Sequence, residues 1–165
     1  MKRVSDRYLQ FVDYQVYEPY KHIYYLHGAL FLFRGAHEDL KVRRNSGEKG
    51  LLGLIYNALN SGEIPLFISE GTSEQKLRAI SRSHYLRFCY DKLREKRERL
   101  IMYGISLSPA QDQHIIDAIK RKTEHIAIAV YFGDKSARQL RDELEDFASK
   151  VPSHNLRFFD ATTLL

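Results

Sequence analysis

Four short apolar runs constrain this chain more than any other feature in it: IPLFI (64–68), RLIMYGISL (99–107), HIAIAVYF (125–132) and LRFFD (156–160). The first three are each followed by a turn and then by sequence that opens like a helix. Thr72 and Gln75 are spaced as a capping box, as are Ser136 and Gln139, and Ser108-Pro109 with Gln111 gives a cap, a first-turn proline and a capping glutamine together. Strand–helix alternation of this kind predicts an α/β domain whose strands near 64–68, 100–105, 126–132 and 156–160 share one mostly parallel sheet with right-handed crossovers. Between the first two runs, residues 73–97 read as two helical pieces, because Ser81-Arg82-Ser83 interrupts the apolar spacing and Ser83 can cap the second. The last helix carries Leu140, Leu144, Phe147, Ala148 and Val151 as one apolar stripe.

The first 63 residues are less regular. Residues 22–34 (HIYYLHGALFLFR) predict two short strand-like pieces meeting at a turn at His27-Gly28. Residues 35–49 read as a loop and 50–60 (GLLGLIYNALN) as a short buried helix. The expectation is one domain over 1–165, irregular over 1–63 and regular over 64–165. The polar N-terminus, Met1 to Asp6, does not resemble a signal peptide, and no apolar stretch approaches bilayer-spanning length. The single cysteine, Cys89, excludes an internal disulfide and points to a reducing, cytoplasmic setting. Cys89 lies among Phe88, Tyr90 and Leu93 and reads as buried and inert.

Charge is concentrated. Between Thr72 and Arg99 there are nine Lys or Arg against four Asp or Glu, an excess equal to the whole chain's net charge of +5. Such a stretch can hold nucleic acid or another anionic partner, or it can be an ordinary solvated helix end.

In open α/β sheets ligands sit beyond the carboxyl ends of strands, and two motifs are candidates for that position. A histidine before a glycine, as in Tyr25-Leu26-His27-Gly28, can serve as a general base where a ligand comes close; equally, Gly28 can be there for its backbone freedom alone. In Tyr103-Gly104-Ile105-Ser106-Leu107-Ser108, hydroxyls stand near a helix N-terminus, suited to phosphate or ribose; an ordinary strand–helix turn has the same composition. His37, His84, His114, His125 and His154 show no metal-ligand spacing, and Asp112, Asp117 and the acids of 141–146 read as solvated helix faces.

The order Leu26-His27-Gly28, then Pro65-Leu66-Phe67-Ile68-Ser69-Glu70-Gly71, then Gly104-Ile105-Ser106-Leu107-Ser108 resembles the later part of sirtuin-like NAD-binding domains, over roughly residues 22–133. It is closer to a bacterial and phage branch of that group than to the protein deacetylases, whose four zinc cysteines are absent here. The resemblance implies a Rossmann-like sheet and NAD as ligand or substrate, with His27 as base for chemistry at the nicotinamide ribose. It implies NAD contacts for Gly28, Gly104, Ser106, Leu107 and Ser108, and no metal. The family's Gly-Ala-Gly loop and asparagine–aspartate motif, which precede the histidine, are missing from the 26 residues before His27. The chain therefore reads as a C-terminal half, a truncated product or a subunit needing a complement, inactive alone. A protein partner or a second copy is expected to cover its aromatic N-terminal surface (Tyr8, Tyr14, Tyr17, Tyr20, Tyr24, Tyr25). The alternatives are a non-catalytic interaction module and nucleic-acid binding through 76–99.

Overall fold

The computed structural model describes residues 8–10, 24–35, 39–42, 50–95, 99–120, 124–151 and 155–164. The chain forms two compact units, one from Met1–Gly71 and Gln75–Tyr90, the other from Thr72–Glu74 and Asp91–Leu165. Compactness thus divides the chain elsewhere than at the change in sequence texture near residue 63.

The first unit is built on an antiparallel sheet. Its strands are β1 (Tyr8–Gln10), β2 (Gly28–Arg34), β3 (Asp39–Val42) and β4 (Pro65–Phe67), in the order β1-β3-β2-β4. The register pairs Phe33 with Leu40 and Arg34 with Asp39 on one side of β2, and Gly28 with Phe67 and Phe33 with Pro65 on the other. β2 carries apolar residues on both faces because both are covered. Phe33 packs with Ala58, Leu54 and Ile55 of α1 (Leu51–Asn60). Leu32 packs with Leu66 and with Ile80, Tyr85, Leu86 and Cys89, which belong to α2 (Ser73–Ser81) and α3 (His84–Glu95).

Three expectations are corrected here. The 64–68 strand does not join the later strands; it pairs antiparallel with β2. The two helices after it do not act as a crossover, because their apolar residues cover the β2–β4 sheet. Residues 39–42, expected in a loop, form β3: Asp39-Leu40-Lys41-Val42 alternates polar and apolar, but over too few residues to stand out from the polar stretch around it, and Asp39 ties it to the core. That carboxylate is buried and accepts hydrogen bonds from the Ser83 hydroxyl and from the Tyr85 N–H (3.1 Å) at the start of α3, while Ser83 Oγ accepts from the Leu86 N–H (3.0 Å). Ser83 thus caps α3 as its sequence predicts. Helix α1 lies where 50–60 was expected but is not a buried helix: only Ala58 is buried, and Leu52 is 82% exposed.

Tyr85 and Cys89 are buried together in this core, with the Tyr25 N–H donating to Tyr85 Oη (3.2 Å). Burial pushes the pKa of both the phenol and the thiol up. In the unfolded chain these groups lose protons near 10.0 and 9.0; folded, they keep them, so the folded state binds more protons and its stability falls as pH rises beyond about 9. Urea midpoints are expected to drop between about pH 8 and pH 10, and Tyr85→Phe to flatten part of that slope; a slope unchanged in the variant contradicts the assignment.

The second unit is a βαβαβ run: β5 (Arg99–Met102), α4 (Pro109–Lys120), β6 (His125–Val130), α5 (Ala137–Lys150) and β7 (Leu156–Asp160), closed by a 3-10 turn over Ala161–Leu164. Its three strands are parallel in the order β5-β6-β7, with Met102, Ile128 and Phe158 in register. The α/β alternation is therefore real, but the parallel sheet has three strands rather than four, and the 64–68 strand belongs to a separate antiparallel sheet. α5 opens with the predicted capping box of Ser136 and Gln139, and of its apolar stripe Phe147 and Val151 are buried, Leu140 and Leu144 half-buried and Ala148 exposed. Phe147 lies against Phe158, ring centroids 6.4 Å apart.

Candidate functional site

β5 ends at the buried Met102, and the chain then turns through Gly104 and Leu107 before α4 begins at Pro109. Both turning residues have left-handed backbone, φ +66° at Gly104 and +50° at Leu107. A side chain at Gly104 meets no atom within 4 Å. The glycine thus serves its torsion and leaves open space above the backbone. Leu107 is fully buried beneath the loop, and its burial holds a conformation that a non-glycine residue rarely adopts. With Leu107 turned inward, Ser106 stays exposed and Ser108 half-exposed, and the Ser108 carbonyl accepts the Gln111 and Asp112 N–H groups of α4's first turn.

This loop walls a cavity of about 670 Å³ at the carboxyl ends of β5 and β6. Gly104, Ile105, Ser106 and Ser108 line one side, Ala129, Val130 and Tyr131 a second, and Phe147 of α5 a third. Two ion pairs complete the wall, Lys135 with Glu143 and Lys150 with Asp146. Lys150 Nζ also stands 5.7 Å from the Phe147 ring centroid, a cation–π distance. Cations and carboxylates balance, so the wall offers donors and acceptors to a polar ligand rather than a single-signed field.

Gly104, Ser106 and Ser108 therefore line a cavity, as their motif suggests. Leu107 is not among the residues that line it; its side chain is buried beneath the loop. His27 and Gly28 belong to the other unit. His27 is half-buried in the turn Tyr25–Gly28, closed by the Gly28 N–H donating to the Tyr25 carbonyl (2.9 Å), and its own carbonyl accepts the Ile68 N–H (2.8 Å). The turn precedes β2 instead of ending a strand, so the premise that both motifs end parallel strands does not hold. Tyr24 and Leu26 are outside any strand because Tyr25 and Leu26 pack on the Leu32–Leu66 core and the Tyr25 N–H is taken by Tyr85. The close approach that Gly28 permits is that of β4: a Cβ there lies 1.9 Å from the Leu66 carbonyl oxygen.

Sequence reasoning missed Tyr131, Lys135, Glu143, Asp146 and Lys150. The acids among them read as solvated helix positions, and only the second strand–helix turn, Tyr131 to Lys135, marks this edge in the sequence. Asp117 is a helix-face acid as expected, accepting from Gln113 (2.8 Å). His114 is buried, its Nδ1 2.8 Å from Ser73 Oγ. His37, His154, Lys96 and Arg97 lie outside the described residues, as do the side chains of the tyrosines before Tyr24. Among the described residues no group of three or more His, Cys, Asp or Glu could hold a metal ion, and no helix is long and apolar enough to cross a membrane.

The family model described as "Domain of unknown function (DUF4917)" matches residues 2–164. The chain belongs to that family. No curated protein and no solved structure matches it. The family match spans both units and carries no activity with it, so the chemistry is argued from the cavity.

Proposed function

We propose that the cavity at the carboxyl edge of β5 and β6 receives an NAD-type dinucleotide, in a Rossmann-like, sirtuin-like module. Gly104 carries this reading: its left-handed torsion and the open space beside its Cα let a phosphate or ribose approach the backbone between β5 and α4. Ser106 and Ser108 supply hydroxyls beside the N-terminus of the twelve-residue α4. The exposed rings of Tyr103 and Tyr131 offer flat surfaces to a base, and the volume suits a small-molecule ligand. Bound NAD supplies a scissile nicotinamide–ribose bond; the role of His27 as base for it rests on the resemblance around His27-Gly28. The cytoplasm is the compartment this reading assigns, from the single buried cysteine.

Isothermal titration with NAD and with ADP-ribose tests the proposal. Wild type is expected to bind both, Ser106→Ala to bind about tenfold more weakly through loss of a hydrogen bond in the site, and Gly104→Val to lose binding while keeping its far-UV spectrum. No binding by wild type, or equal binding by all three, overturns it. Nicotinamide release by the 165-residue chain is expected to be undetectable, because its sequence has no Gly-Ala-Gly cradle for the pyrophosphate.

A second reading, a protein-interaction or self-associating module, is favoured by α1. Leu52, Tyr56 and Leu59 stand at i, i+4 and i+7 on its exposed side, and the helix has no charged residue. Nucleic-acid binding through 76–99 draws less support, since Lys76 is buried and Lys92 and Arg94 are paired with Glu95 and Asp91.

A further inference from the structure

We propose that the face of the β5–β6–β7 sheet opposite α4 and α5 binds single-stranded nucleic acid. Alternation along the strands sorts this sheet's side chains into two sets. Met102, Ile126, Ile128 and Val130 are buried, and Phe158, in register with Ile128, lies under Phe147 of α5. Both crossovers step in the same direction across the sheet, so the right-handed rule carries α4 and α5 to that one side. The alternate set faces the other way.

That second set has one sign of charge. Arg99 and His125 stand in register at the amino end, and Arg157 is in register with Ala127. All three are exposed, and neither arginine is in an ion pair among the described residues. No acid occupies any position of the set. The same face is flat and aromatic: half-buried Ala127 and Ala129 form a low floor along β6, with Phe159 in register with Ala129. Ile101 beside this floor is 68% exposed. Tyr103 and Tyr131, both exposed, continue the alternation just past the ends of β5 and β6.

Rings and apolar surface on an exposed sheet face, bordered by arginines that have no ion pair among the described residues, match the two halves of a single strand: bases stack, and phosphates meet cations. A duplex hides its base faces and gains nothing from the rings. An apolar helix is the common cover for a parallel sheet, but it leaves Arg99 and Arg157 without counter-charge, whereas a polyanion satisfies both. The face shares Tyr103, Ala129 and Tyr131 with the wall of the dinucleotide cavity, whereas Arg99, Ile101 and Arg157 do not line that cavity, so variants at these three positions test the face by itself.

Fluorescence anisotropy with labelled oligo(dT) and oligo(U) of about 20 nucleotides, longer than one site, tests the inference on the full chain. Binding is expected to weaken steeply between about 50 and 200 mM salt. Arg99→Ala/Arg157→Ala is expected to bind about tenfold more weakly, with a salt slope shallower by about 1.4, two phosphate contacts' worth on a single strand. Ile101→Glu, which sets an acid on the floor, is expected to weaken binding as well. A control triple variant, Arg78→Ala/Arg82→Ala/Arg87→Ala on α2, α3 and the turn between them, is expected to stay within about twofold of wild type. All substituted residues are exposed, and unchanged circular dichroism confirms folding. Absence of binding by wild type at low salt overturns the proposal and leaves the face to a protein partner. Binding lost in the control but kept in the face variants overturns it in favour of the basic helices.

Discussion

Gly28→Ala is expected to unfold the antiparallel unit at urea concentrations where the wild type remains native. The added methyl lies 1.9 Å from the Leu66 carbonyl oxygen, 2.8 Å from its carbon and 3.3 Å from Phe67 Cα. All three are backbone atoms of β4, so no side chain can swing away to make room. The glycine φ of +77° adds torsional strain of its own, about 1–2 kcal/mol for a residue with a Cβ. Relief requires β4 to part from β2, which breaks the pairing at Gly28 and Phe67 and the bond from the Ile68 N–H to the His27 carbonyl. Leu66, wholly buried, moves with it. The combined loss is expected to exceed about 3 kcal/mol, in the range of severe core lesions. Gly62 is the matched control: its φ is +80° but a Cβ there meets nothing within 4 Å, so Gly62→Ala should cost only about 1 kcal/mol. Equal losses in the two variants rule out the steric account.

Asp39→Ala is expected to cost about 3 kcal/mol or more in the same measurement. The carboxylate is 7% exposed and is the acceptor for two buried donors, the Ser83 hydroxyl and the Tyr85 N–H. Removing it strands both and withdraws a negative charge from the positive end of α3. Asp39→Asn keeps a carbonyl oxygen for one donor, so it should fall between alanine and wild type. Ser83→Ala removes the cap on Leu86 and one of Asp39's donors, a loss of about 1–2 kcal/mol. Because the two residues share one network, the double alanine variant should lose less than the sum of the singles. An Asp39→Ala protein within about 0.5 kcal/mol of wild type, the range of ordinary surface changes, shows the network to be incidental.

The βαβαβ half was legible because each of its elements announces itself locally: Ser136 and Gln139, and Ser108 with Pro109, mark helix starts within a few residues. The first unit was not, because its decisive contacts join residues far apart in sequence. Asp39 forms β3 through partners on α3, and β4 finds β2 through a glycine whose neighbour lies 38 positions later, at Leu66. Apolar pattern alone could not tell whether the 64–68 strand pairs forward or backward. The cavity was half legible. Gly104, Ser106 and Ser108 carry a turn signature, whereas Lys135, Glu143 and Lys150 look like any charged positions on a solvated helix until the fold turns them toward the strand ends. His27 shows the opposite failure: its motif suggested a strand end, while the backbone makes it the entrance to one.

Leu107 separates two things that are joined in most binding loops. Its side chain anchors the 104–108 segment from beneath, so the outline of the loop is dictated by the core. The hydroxyls of Ser106 and Ser108 decorate that outline from outside, and it is the Ser108 carbonyl, not its hydroxyl, that ties the loop to the first turn of α4. Selection acting on relatives of this chain can therefore exchange the two outer hydroxyls for other chemistry while the mould stays the same, and the dinucleotide reading then asks for little ordering of the loop on binding.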